Sequence, residues 1–565
     1  MLLGKGDTDG FAFHLSSPLK ARAACARTSV LHIAFTNPAE AGQLSGQFPK
    51  FLFAFSGAAR LFHKISIANL SIGRYIYRPM TPDFPQFIKR LAPMGLRLAP
   101  HTLRKLRHAT LGQIEQRLAG FLPASGLQNN PTKDHSRERI YPLHRVFWCW
   151  LWQILQCNTA CREVVRQVQI LFCLHGQSID EGTSAYCQSR SKIPLALLRK
   201  WVSSSAQAAR KLVPSPTFLQ ARPLKAVDGS SVRLADTSKN QQQFPQPHSQ
   251  HPGAGFPVMK IVAFFCVASG SLLACVTGNR FQSEVSLAAQ LFGSLSGGDV
   301  LVTDRGFGSF VLAALLQTLG IDLIARVPTR IRRIDFRKGQ RLASKDALFV
   351  WKKSKRRSPW MPLEQWLAIP QTLTVRVLRV RVSLPGLRVH TVTLMTTLLD
   401  PKLYPAKEIA EAYRLRWRQE MCFDDLKTTL HMAHLKSKTP LMAQKELCMF
   451  LIAHNLIRCL MVQAATHAQI KIEQISFKGT LDAFRQCSQG MAQAKSKAKR
   501  ESLWEEFKRI VAADSLPHRP GRREPRAVKR VTKYPKLSCH RRRFKDRMSR
   551  NKRRSLRLKN AKILI

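Results

Sequence analysis

Acidic residues are scarce in this chain: its 565 residues hold 34 Asp and Glu against 91 Lys and Arg, a formal charge of +57. That imbalance suits a polyanionic partner, since each phosphate neutralised releases counterions. A protein that merely coats nucleic acid would carry the same balance, so charge alone does not indicate an enzyme. The 13 cysteines are scattered, with no paired CxxC and no secretory signal peptide, which excludes a disulfide framework. Cys157 and Cys161 lie four apart on a predicted helix without a second ligand pair, and read as buried thiols in a reducing compartment. Long apolar runs are also missing. Val258 to Val276 approaches a membrane-spanning length, but Ser269-Gly270 interrupts it as a turn between two buried strands. The Trp-rich stretch from Val146 to Leu155 is too short to span, and no transmembrane helix is expected. Residues 1–79 lack periodicity; they resemble a transit leader, or untranslated sequence ahead of a start at Met80.

What remains is long enough for three or four domains. Basic, helical periodicity runs from Thr81 to about Gly126, and helical sequence with aromatic and aliphatic positions fills 143–212. The texture changes at Pro214-Ser-Pro216. Leu224 to Leu234 alternates as a strand, with Asp228 in its middle. Two strands joined by the Ser-Gly turn follow, then a helix capped by Ser283 with Glu284 in its first turn. Val300 to Thr303 is a short buried strand that delivers Asp304 at its end; a helix from Ser309 and a strand from Ile321 to Val327 come next. Strand, hairpin, helix, strand, helix, strand is a ribonuclease-H-like succession within an α/β fold. Residues 329–402 are too many for a loop and alternate as strands, a β-rich insertion. Helices are expected over 441–515, and 516–565 forms a basic tail.

The stretch from Tyr413 to Lys427 reads as one helix, with good helix formers and neither Gly nor Pro. At about 100° per residue, Tyr413, Arg416, Glu420 and Lys427 share a sector of roughly 60°, beside an apolar stripe of Leu415, Phe423, Leu426 and Leu430. A solvated face of charge pairs would look similar. These four residue types at these spacings resemble the Tyr-Arg-Glu-Lys signature of the insertion sequence 4 family of DDE transposases.

The resemblance implies DNA strand cleavage and joining by two divalent ions, Mg²⁺ or Mn²⁺, held on Asp228, Asp304 and Glu420, with Asp228 shared between them. It implies phosphate contacts from Arg416, Lys427 and Tyr413, with Arg305 a further candidate. Trp351, Trp360 and Trp366 are candidates for an aromatic that stacks on a displaced base. The implied partners are the element's inverted repeats and target DNA. A homodimer on paired ends, working in the bacterial cytoplasm at the nucleoid, is the implied assembly. Residues 80–215 are then a helical DNA-end-binding region, and 216–328 with 403–440 the catalytic core. A metal-dependent nuclease without strand joining, or an inactive DNA-binding derivative, would share every residue named. Asp236, Asp299 and Asp322 are rival acids outside the strand positions the fold requires.

Overall fold

Two prolines set the first helical layer. Pro142 and Pro194, with extended backbone, immediately precede two of its helices, where the missing N–H costs no hydrogen bond. The computed structural model describes residues 111–123, 140–173, 178–214, 218–327, 334–382, 390–494 and 496–516. The leader, the helical expectation over 81–110 and nearly all of the basic tail lie outside them. The layer comprises α1 (Leu111–Leu118), α2 (Leu143–Leu155), α3 (Cys161–Cys173), α4 (Ser184–Lys192) and α5 (Leu195–Lys211). α2 ends where Cys157 and Asn158 adopt positive φ. Cys157 and Cys161 therefore do not share a helix, and both are half-buried rather than buried. Each thiol faces its own guanidinium at 3.1 Å, Arg485 on Cys157 and Arg190 on Cys161.

β1 (Leu224–Arg233) opens the sheet. After it come α6 (Ser238–Gln243), β2 (Val258–Cys266), β3 (Leu272–Gly278), α7 (Glu284–Ala289), β4 (Val300–Thr303), α8 (Phe310–Thr318) and β5 (Asp322–Arg326). Then follow β6 (Gln340–Ala343), β7 (Asp346–Lys352), α9 (Leu363–Ala368), β8 (Thr372–Val382) and β9 (His390–Thr396). The nine strands make one sheet in the order β3-β2-β1-β4-β5-β9-β8-β7-β6. β1, β4 and β5 are parallel, and β2 runs antiparallel to both β1 and β3. β9 joins antiparallel to β5, so the strands of 340–396 extend the same sheet. Both faces are covered: on β2, Ile261, Ala263 and Phe265 enter one core, and Val262 and Phe264 another.

The chain closes with α10 (Ala406–Leu415), α11 (Trp417–Asp424), a π-helical turn at Asp425–Thr429, then α12 (Pro440–Ala468), α13 (Phe477–Gln493) and α14 (Lys497–Ala513). Among the described residues α12 alone is long and apolar enough to cross a membrane; 94 % of its apolar window is buried within the protein. It is the central core helix. Asn455 on it is buried but fully used: Oδ1 accepts from Leu272 N (2.8 Å), and Nδ2 donates to Leu272 O (3.0 Å) and Val202 O (3.1 Å). One amide thus ties α5, α12 and the edge strand β3 together, with its polar groups satisfied.

Candidate active site

Two of the three proposed acids are placed by the sheet. Asp228 lies in the middle of β1, opposite Ala263 on β2, and its Oδ1 accepts from Gly229 N at 2.8 Å. Asp304 directly follows β4, where Oδ1 accepts from Gly306 N at 2.8 Å. Because Ala226 pairs with Val302 in parallel register, the two aspartates stand side by side, Asp228 in mid-strand and Asp304 just past the carboxyl end of the neighbouring strand. Burial pushes the Asp228 carboxyl up to about 6, the Gly229 amide and Arg416 oppose that, and Asp304 and Glu420 raise it further. All three acids therefore share one electrostatic neighbourhood.

Glu420 arrives on a helix that is not continuous. The expected single helix from Tyr413 to Lys427 is tightened at Arg416, where Arg416 N donates to Tyr413 O and Gln419 N to Arg416 O. It ends in the π-turn, where Leu430 N donates to Asp425 O. The uniform 100° arithmetic fails past Asp424. The reason is packing: Leu426 and Leu430 are both fully buried, and one extra residue in the turn lets both reach the core. Lys427 sits in that turn; burial lowers its pKa, and Asp228 pulls it back up.

Arg416 binds Glu420, Nη2 to Oε1, at 2.9 Å. Its guanidinium lies 5.7 Å from the Tyr413 ring centroid, and its buried Nε has no partner among the described residues. Burial works against the Arg416 charge, but Tyr413, Glu420 and Asp228 together raise its pKa. Tyr413 is buried beneath it, with its own pKa raised by burial. The phenol thus positions Arg416 and does not present itself at the surface. Arg305, next to Asp304, is exposed.

The rival acids are occupied elsewhere. Asp299 is buried against Lys225 and accepts from Ser296 N at 2.6 Å. Asp322 pairs with Arg222 at 2.7 Å, and Asp236 accepts from Gln241 at 3.0 Å. Glu284 is not only a helix-capping charge: a Cβ at Gly229 would lie 2.4 Å from its Cδ, so its carboxylate fills the space beside Gly229 on the face opposite Asp228. A glycine after the first acid was the available signal. Gln419, also unforeseen, is buried beside Glu420 with both amide atoms unpartnered among the described residues. Trp351 and Trp366 are buried in the core, and Trp360 packs half-buried against it, which removes the first two as free stacking surfaces.

The donors are carboxylate oxygens, the ligands that hard divalent cations take. Among the described residues, no three His, Cys, Asp or Glu stand close enough to grip one ion. Glu420 is held by Arg416 instead. The chemistry of the set fits such cations.

Residues 220–456 match the family described as Transposase DDE domain. The chain is 27 % identical over 404 residues to transposase InsG for insertion sequence element IS4 of Escherichia coli K12, covering 71 % of this chain and 88 % of that one. It is 39 % identical over 64 residues to the putative transposase InsL for IS186A from the same organism, covering 11 % of this chain and 17 % of that one. Among solved structures, the piggyBac transposase synaptic complex with hairpin DNA aligns with 73 % of this chain and 85 % of its own, at 10 % identity and a TM-score of 0.35.

Proposed function

We propose that the chain is a DDE transposase of the insertion sequence 4 family, whose domain implies divalent-metal dependence, and that Asp228, Asp304 and Glu420 are its metal ligands. With two ions of Mg²⁺ or Mn²⁺ the protein cleaves the ends of its own element and joins them to target DNA. It acts as a homodimer, since two ends must be joined. The observation that carries this reading is the convergence on Asp228 of Asp304, from the end of β4, and of the paired Glu420 and Arg416, from the α10–α11 segment.

The ribonuclease-H-like description of the core draws support from the order β3-β2-β1-β4-β5, with β1, β4 and β5 parallel. Bound ions would stabilise the attacking and leaving oxygens of an in-line phosphoryl displacement. The chain's own groups do the rest. Arg416 and Lys427 grip phosphate beside the acids. Tyr413 holds the Arg416 guanidinium in place, and Arg305 meets the backbone at the rim. Residues 80–215 serve as the helical end-binding region.

The test is nicking of a labelled element end by the purified chain. Cleavage is expected with Mg²⁺ or Mn²⁺ and none in chelator, with end binding retained in Asp228→Asn and Asp304→Asn. Undiminished cleavage in chelator would refute the reading.

A further inference from the structure

Three hydrogen-bond donors converge on one sulfur in the helical layer. Arg190 Nη1 donates to Cys161 Sγ at 3.1 Å, Gln153 Nε2 donates to it at 3.7 Å, and the Cys187 thiol, on α4, donates to it as well. The Gln153 amide is fixed with its nitrogen toward the sulfur, because Oε1 accepts from Tyr186 Oη at 3.0 Å and Nε2 also donates to Thr159 O at 2.7 Å. Cys161 opens α3, so the positive end of that helix adds to the field. The acid of the same turn, Glu163, is bound to Arg166 at 2.8 Å.

Arg190 explains why this sulfur carries charge. Its side chain is buried, with the guanidinium 4.0 Å from the Trp150 ring centroid and 5.5 Å from that of Tyr186. Among the described residues no carboxylate pairs with it, and a buried guanidinium demands a counter-charge; the Cys161 thiolate is the anion at hand. The Cys187 hydrogen bond, Arg190 and Gln153 hold the Cys161 thiol well below the ordinary thiol range against its burial, while donating that bond and burial push Cys187 up. Cys157 makes the contrast. Its guanidinium, Arg485, stands at the same 3.1 Å but is already paired with Asp482 at 2.9 Å. Cys161 is half-buried and Cys187 exposed, so a small reagent reaches the pair from solvent.

We propose that Cys161 and Cys187 are a peroxide-reactive dithiol, Cys161 the attacking sulfur and Cys187 the resolving one, that closes an intrachain disulfide between α3 and α4. The Cys161 thiolate attacks one oxygen of a hydroperoxide; S–O forms as O–O breaks, and the leaving alkoxide or hydroxide takes up a proton from solvent. The Cys187 sulfur then attacks the sulfenic sulfur; S–S forms, S–O breaks, and the departing hydroxide leaves as water with the Cys187 proton. The two sulfurs lose two electrons between them, and the peroxide gains both. The product sulfur carries no charge, so Arg190 is left buried without its anion, and oxidation is felt inside the helical layer at Trp150 and Tyr186. None of these residues belongs to the acid cluster.

The full chain, purified reduced, is treated in chelator with equimolar hydrogen peroxide, blocked with N-ethylmaleimide and digested for mass spectrometry. A peptide pair joined through Cys161 and Cys187 is expected, with Cys157 left free. In Cys187→Ser the product should instead be a Cys161 sulfenic acid that dimedone traps, and in Cys161→Ser oxidation at Cys187 should slow by about tenfold or more. In the unmodified chain, the rate of iodoacetamide alkylation at Cys161 should stay within about twofold from about pH 6.5 to about 8.5, an interval over which free cysteine in the same tube accelerates roughly fiftyfold. That last measurement needs no variant to fold. The proposal is overturned by the absence of a disulfide, by one through any other pair, or by unchanged oxidation of Cys187 in Cys161→Ser. It is equally overturned by a Cys161 that alkylates not at all or climbs with pH as free cysteine does, or by no dimedone adduct in Cys187→Ser.

Discussion

Asp228 and Asp304 are carried by strands, Glu420 by a broken helix, and the two settings hold a carboxylate differently. Each aspartate accepts a backbone N–H at 2.8 Å from a residue one or two positions on, so its direction is set by the sheet itself. Glu420 accepts from a side chain, Arg416, and rides between a tightened turn and a π-turn. A buried sheet resists displacement because both of its faces are packed. The α11 segment is itself packed, with Cys422 and Phe423 buried, so the difference lies in what orients each carboxylate: backbone amides for the two aspartates, one side chain for Glu420.

The sharpest way to break that comparison is on the helix itself. Glu420→Gln should lose end cleavage by about a thousandfold or more while retaining binding, whereas Asp424→Asn, whose exposed carboxylate only accepts from Thr428 at 2.7 Å, should keep most of both. A dead Asp424→Asn beside an active Glu420→Gln would transfer the third carboxylate to Asp424. Next in size is a strand-end acid outside the site. Asp299→Asn leaves the Lys225 ammonium buried without its counter-charge, and urea unfolding should report a loss of about 3–5 kcal/mol.

Asp228→Asn should act in the opposite direction. A carboxyl with its folded pKa raised to about 6 costs stability once ionised, so the folded state holds that proton more tightly than the unfolded chain. In metal-free buffer the asparagine variant should gain about 1–3 kcal/mol above pH 6, a gain that shrinks through the interval from about 6 to 4 and vanishes below it. Thermal unfolding at pH 4 and pH 7.5 measures this, and an equal difference at the two pH values would contradict it. The smallest effect concerns grip. Arg416→Ala and Lys427→Ala should each reduce the slope of log affinity against log salt by about one unit, and an unchanged slope in both would return them to an ordinary charged helix face.

The strand acids were legible in the sequence because alternation and turns are local signals. Asp228 sits inside an alternating run, and Asp304 ends a four-residue apolar one. The spacing from Tyr413 to Lys427 was equally legible as a set of residue types. The breaks in that helix were not, because they follow from how Leu426 and Leu430 meet the core, and no nearby residue signals it. The tryptophans show a related limit. Trp351 shares a face of β7 with Ala347 and Phe349, so its direction was readable, but whether that face would be covered depends on where the strand pairs. The union of β6–β9 with β5 is a pairing across a long connection, which local pattern does not encode.

The order in which the sheet is assembled has a consequence for the protein during its synthesis. β1 can complete its pairing with β4 as soon as Thr303 has been made, but the α10–α11 segment that carries Glu420 comes only after all nine strands, and α12, which buries that segment's neighbours, comes later still. A nascent or truncated chain ending before Ala406 therefore holds Asp228 and Asp304 without Glu420, so on the proposed assignment the acid set is completed only late in synthesis.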